Sequence, residues 1–210
     1  MKYIIDKLND VFKGNKIYFF IVLIMFCLGI SFGLCSVKNM GISDKNDMIS
    51  YLGNFTKAIQ GQTISYSALL LEVIKKNCIL LIIMIIIGIT FLGFPIILII
   101  DYIKGFILGY TFSLMVLAFG QRGLLLAIVA IMPQNILYIP CFIGLSVICL
   151  HVSSKKFKNK FSKSHISVNI LSQDILSKFC MIIILFSLGV LVETYISPHI
   201  IKLVASSIKA

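Results

Sequence analysis

The chain has 210 residues, 59% of them apolar and 13% charged, with 19 Lys and Arg against 8 Asp and Glu for a formal net charge of +11. Soluble domains are roughly 45–50% apolar and about 25% charged. With no polar block long enough for a separate soluble domain, the composition excludes a disordered chain, a disulfide scaffold and a soluble enzyme carrying a membrane tail.

Residues 1–16 place Ile4, Ile5, Leu8, Val11 and Phe12 at helical spacing among lysines and acids, the pattern of an interfacial amphipathic helix on the cytoplasmic side. The first apolar run, 17–37, has twenty-one residues without a charge, enough for one crossing. It ends in Phe32-Gly33-Leu34-Cys35 with no small-x-small cleavage site, so it is expected to stay as an anchor and not to be removed as a signal peptide. An extracytoplasmic loop over 38–77 follows, polar in its first half and with a helix expected over Ser65 to Lys76. The second and third spans are expected at 78–100 and 102–120, joined at Asp101 in a tight hairpin. The fourth run, 123–150, has twenty-eight residues; as one helix it would extend about 42 Å against a core of about 30 Å. A break or kink is therefore expected at Pro133 or Pro140. A basic cytoplasmic loop over 151–174, a fifth span at 175–197 and an extracytoplasmic tail at 198–210 complete the chain.

The expected fold class is thus an all-α polytopic membrane protein with five transmembrane helices. Placing the N-terminus in the cytoplasm and the C-terminus outside puts eleven of the nineteen Lys and Arg residues on the inner side, as the positive-inside rule asks. The basic residues lie between apolar runs and only Arg122 is an arginine, which argues for topology and against nucleic-acid binding, where the planar guanidinium is favoured. Cys27, Cys35, Cys78, Cys141, Cys149 and Cys180 fall in or at the ends of apolar runs with no CxxC pair. They read as small buried hydrophobes, with no metal and no cofactor expected.

Catalysis needs nucleophilic or titratable groups gathered at one depth, and the chain offers few. His151 and His165 flank the basic loop, His199 lies on the opposite side, and there is no HExxH, GxGxxG or P-loop. Asp101 and Lys104 stand i, i+3 at the expected hairpin tip, where an interfacial charge pair is the plain reading. Glu193, between Val192 and Thr194, reads as the residue at which the last span leaves the membrane. No catalytic residue is assigned.

Polar residues inside the spans carry more information. Pro133, Gln134, Asn135 and Pro140 occupy an otherwise apolar stretch, where proline frees a carbonyl and amide side chains supply substitute hydrogen bonds or reach a neighbouring helix. Gly29 with Gly33, and Gly105 with Gly109, form two GxxxG pairs, the spacing that lets helix backbones approach closely. They favour a compact bundle and leave self-association open.

Gly93-Phe94-Pro95, then Lys104-Gly105-Phe106 with Gly109-Tyr110, then Met132-Pro133-Gln134-Asn135 through Tyr138 to Pro140, together resemble the stage II sporulation protein M family across nearly the whole chain. Broader relatives have Pro-His-Gly-x-x-Glu where this chain has Pro133-Gln134-Asn135, a departure that favours the sporulation branch. The resemblance implies a non-enzymatic protein of the mother-cell engulfing membrane. It would anchor and scaffold a peptidoglycan-degrading complex with stage II sporulation proteins D, a lytic transglycosylase, and P, an amidase, for septal thinning and forespore engulfment. The loop 38–77 is then the natural contact surface. The rival from another class is a permease-like subunit of an ATP-driven transporter, against which the sparse polar lining argues.

Overall fold

The computed structural model describes residues 15–61, 65–90, 92–162 and 173–199, and every element in them is helical. The expected amphipathic segment up to residue 14, the middle of the basic loop (163–172) and the tail from residue 200 lie outside the described residues. The elements are α1 (Lys16–Lys38), α2 (Ile42–Gly61), α3 (Tyr66–Ile89), α4 (Gly93–Ser162) and α5 (Gln173–Leu191), which runs on into a π-helical turn, Val192–Ile196. Among the described residues three helical stretches are long and apolar enough to cross a membrane: Lys16–Lys38, Gly93–Phe157 and Ser177–His199. Helix α3 is not among them, because Glu72, Lys75 and Lys76 stand in its first half.

Helix α1 shows how an almost uniformly apolar sequence acquires two faces. Val22, Phe26, Gly29, Gly33 and Val37 recur every three or four residues and are buried in the bundle, while Ile17, Phe20, Ile24, Leu28 and Phe32 are exposed. In a spanning helix the exposed stripe meets lipid tails, which accept it at no cost.

The second and third expected spans are divided elsewhere than the charges indicated. Helix α3 ends at Ile89, Thr90 is extended, and α4 begins at Gly93. The Thr90 hydroxyl and amide both donate to Ile87 O, at 2.7 and 2.9 Å, and Ser153 Oγ donates to Thr90 O at 2.9 Å. Pro95 falls in the first turn of α4, where its missing N–H has no intrahelical partner to lose. The reversal therefore lies at 90–93, and Asp101 stands two turns inside α4 and not at a hairpin tip.

Helix α4 is two arms in direct succession. Its non-helical residue is Gly120, at φ 58° and ψ −133°, whereas Pro133 and Pro140 lie inside the helix with helical dihedrals. The turn at Gly120, which has no Cβ to oppose a positive φ, falls between the expected third and fourth spans, and no non-helical residue marks a break at either proline. The long run is accommodated by extension: the second arm, 121–162, measures about 63 Å at 1.5 Å per residue and continues past the apolar stretch into Lys155 and Lys156.

Side-chain pairings set the direction of each pass. Asn77 meets Tyr138 and Thr90 meets Ser153, so α3 runs parallel to the second arm of α4. Asp101 pairs with Ser146 across the two arms, which are antiparallel. Cys141 meets Ile182 and Gln134 meets Ser197, so α5 returns antiparallel to the second arm. Helix α1 and the first arm run parallel, with their GxxxG pairs interlocked. A Cβ on Gly29 would collide with Tyr102 O and one on Gly33 with Phe106 O; one on Gly105 would meet Phe26 O, and one on Gly109 Ile30 O. Both glycine pairs are therefore engaged within one chain, so they supply no basis for self-association.

The cysteines divide. Cys141 and Cys149 are buried as expected, but Cys27, Cys35 and Cys180 are exposed on the bundle surface. An apolar outer face makes that tolerable in lipid, where being apolar does not imply being inside.

Candidate functional site

Side chains from α1, α3, both arms of α4 and α5 with its π turn line one cavity of about 410 Å³. Its polar lining is Lys76 and Asn77 from α3, Lys104 and Thr111 from the first arm of α4, Gln134, Asn135 and Tyr138 from the second arm, and Glu193 from the π turn. Phe26, Leu80, Ile107, Phe142 and Phe186 are among the apolar walls.

Glu193 is the best-held of these groups. Tyr138 Oη donates to its Oε2 at 2.7 Å and Asn77 Nδ2 donates to the same oxygen at 3.2 Å, with Asn77 Nδ2 also 3.4 Å from Tyr138 Oη. The π turn explains why the carboxylate points inward: the Ser197 amide reaches back five residues to Val192 O, and such a bulge turns a helix face locally. The residue expected to mark the exit from the membrane is thus tied into the bundle.

Gln134 Oε1 accepts from Ser197 Oγ at 3.3 Å, a bond between the second arm of α4 and the residue that follows the π turn. Asn135 does otherwise. Its Nδ2 donates to Ile131 O of its own helix at 2.7 Å, a back-bond to i−4 that neither reaches another helix nor serves the carbonyls freed by Pro133 and Pro140, which belong to residues 129 and 136.

Asp101 and Lys104 are separated by their surroundings despite their i, i+3 spacing. Asp101 is 0% exposed; Oδ1 accepts from Ser146 Oγ at 2.6 Å and Oδ2 has no hydrogen-bond partner among the described residues. Lys104 Nζ lies 5.7 Å from the centroid of the Phe142 ring, a cation–π placement. In place of the expected interfacial charge pair stand a buried carboxyl bonded to Ser146 and an ammonium that lines the cavity. Next to Lys104, Gly105 abuts Phe26, close to the middle of α1. At such a depth in a spanning bundle a lysine costs about 2.5–3.5 kcal/mol on insertion scales.

The hydrogen-bonded layers also give the cavity its height. Tyr18 Oη donates to Ser154 Oγ at 2.9 Å at the lysine-rich end. Ser154 lies twenty residues from Gln134, or about 30 Å along the second arm, the thickness of a hydrocarbon core. Tyr138 and Phe142 stand about 6 and 12 Å inward from Gln134, so the cavity occupies the half nearer the Gln134 end. Beyond that end, Tyr66 stacks on Tyr195 at 5.8 Å and its hydroxyl lies 3.1 Å from His199 Nδ1, in the manner of an interfacial aromatic belt.

Sequence reading singled out Lys104, Gln134, Asn135 and Glu193 but did not join them, and it missed Lys76, Asn77 and Tyr138. The available signal was Asn77 directly before the apolar run that starts at Cys78, a polar residue that a spanning helix would carry inward. Among the described residues no three His, Cys, Asp or Glu side chains are grouped so as to hold a metal ion.

No curated protein and no solved structure shows a significant match to the chain. A family model described as stage II sporulation protein M matches residues 22–198, from the first buried stripe of α1 to just beyond the π turn. The match takes in every helix that lines the cavity, and the chain belongs to the stage II sporulation protein M family, whose members are sporulation membrane proteins.

Proposed function

We propose that the protein is a non-enzymatic anchor and scaffold in the mother-cell engulfing membrane. It crosses five times, N-terminus inside and C-terminus outside, and it holds stage II sporulation proteins D and P for septal peptidoglycan degradation and engulfment. Family membership over residues 22–198 is the observation that carries the reading. The charge layout supports the orientation, since Lys16, Lys155, Lys156 and Lys178 gather at the end where Tyr18 meets Ser154. Helix α2 supports the scaffold role: it stands at the opposite end, its sequence carries Asp44, Lys45 and Asp47, and it leaves Ile42 80% exposed together with Met48. Weak contacts to two wall hydrolases on such a helix would act at high effective concentration.

The test is co-purification from sporulating cells. The amidase and the transglycosylase are expected to be recovered with the wild-type protein, and to be lost from an Ile42→Glu/Met48→Glu variant whose membrane level is unchanged. Purified protein is expected to leave peptidoglycan intact. Unaided cleavage of glycan or peptide bonds contradicts the reading.

One observation favours a second reading, a permease-like subunit of an ATP-driven transporter: the cavity has a richer polar lining than Gln134 and Asn135 alone, with Lys76, Lys104 and Glu193 added. ATP-dependent solute uptake by protein reconstituted with a nucleotide-binding partner would establish it.

A further inference from the structure

The charges around the cavity do not balance. Lys76 and Lys104 line it against one carboxylate, Glu193, and that carboxylate already accepts from Tyr138 and Asn77. Neither lysine has a hydrogen bond or ion pair to protein among the described residues; Lys104 Nζ lies over the Phe142 ring. Ammonium groups facing a low-dielectric space attract an anion strongly. Lys104 is half-buried near mid-span, and Lys76 is exposed at the cavity rim.

The walls restrict what kind of anion fits. Phe26, Leu80, Ile107 and Phe142 present hydrocarbon to the same space, and a small inorganic ion would leave it uncovered. A volume of about 410 Å³ is within the range of ordinary ligand pockets and far too small for a folded partner. Ile107 both lines the cavity and is 53% exposed, so that wall is not closed over by any helix among the described residues and leaves room for an acyl chain to pass out to the bilayer. From the charge imbalance, the apolar walls and the open side, we infer that the cavity binds the phosphate headgroup of a membrane lipid. The phosphate lies between Lys104 and Lys76, and the chains leave past Ile107. Such binding does not depend on the scaffold role, and it would hold equally for a permease.

Binding is measured by native mass spectrometry on the full-length protein in nanodiscs containing either dioleoyl phosphatidic acid or dioleoylglycerol, lipids identical but for the phosphate. One phosphatidic acid molecule is expected to stay with each chain, at least tenfold preferred over dioleoylglycerol; equal retention of the two overturns the proposal without recourse to any variant. Lys104→Met/Lys76→Met is expected to lower phosphatidic acid retention at least tenfold, and Lys104→Arg to restore most of it in the Lys76 background. Retention unchanged in the double Met variant overturns the assignment to this cavity. Inorganic phosphate at millimolar concentration is expected not to displace the lipid; if it does so as effectively as added phosphatidic acid, the site takes free phosphate and the lipid assignment fails.

Discussion

The two sides of the first arm of α4 solve the same problem in opposite ways. Toward α1, Gly105 and Gly109 bring backbone against backbone, so closely that a single Cβ would strike a carbonyl oxygen. One residue away, Lys104 faces a cavity of about 410 Å³ shared by all the bundle helices. Without a hydrophobic drive between helices in lipid, the glycine seam holds by van der Waals contact alone and needs no polar group. The cavity side is held by a few hydrogen bonds among Asn77, Tyr138, Gln134, Glu193 and Ser197, and leaves space. One face is built for rigidity and the other for an occupant.

That contrast orders the expected effects of substitution. Gly105→Val should be the most damaging, because backbone cannot yield as a flexible side chain can. Overpacking of this kind costs about 2–4 kcal/mol, to be read as loss of folded protein in detergent. Gly53→Ala is the control: nothing lies within 4 Å of a Cβ there, and within α2 it should stabilise by about 0.5–1 kcal/mol. Gly120→Ala comes next. It too meets no atom within 4 Å, but at φ 58° it is strained by the backbone itself, costing about 1–3 kcal/mol and separating strain from crowding.

On the cavity side, Tyr138→Phe removes the shortest bond to Glu193, with an expected cost of about 1–2 kcal/mol. In a double-mutant cycle with Glu193→Gln the coupling should exceed about 0.5 kcal/mol. Strict additivity would mean that the 2.7 Å contact does not hold the π turn. The smallest effects distinguish the two amides. Gln134→Leu breaks an interhelical bond to Ser197 and should cost about 0.6–1.7 kcal/mol. Asn135→Leu removes a bond to a carbonyl of its own helix and should cost less than about 0.5 kcal/mol. The reverse order would show that Asn135 finds a partner on another helix.

The glycine seam was legible in the sequence because close approach of two helices depends on what is missing at fixed spacing, which GxxxG states locally. The cavity was not. Asn77 and Glu193 lie 116 residues apart and Tyr138 meets them from a third helix, a convergence that no local pattern encodes. Hydropathy also misplaced a helix boundary by treating Asp101 as the end of a span. A carboxyl with a buried serine partner can lie inside one, and the turn was marked instead by Thr90 and by Gly93 with Pro95, residues of helix ends and first turns. The prolines of the fourth run were read as a break or kink, yet neither has non-helical dihedrals, and the positive φ at Gly120 falls at the expected boundary between the third and fourth spans.

The proposed scaffold role turns on whether the wall hydrolases depend on the α2 surface or on the cavity. Fluorescent amidase and transglycosylase are followed in sporulating cells that carry either the Ile42→Glu/Met48→Glu variant or the Lys104→Met/Lys76→Met variant, each at wild-type membrane abundance. Loss of both enzymes from the septum with the α2 variant, and their retention with the cavity variant, is the predicted result. Normal recruitment with the α2 variant and failure of engulfment with the cavity variant alone would contradict it.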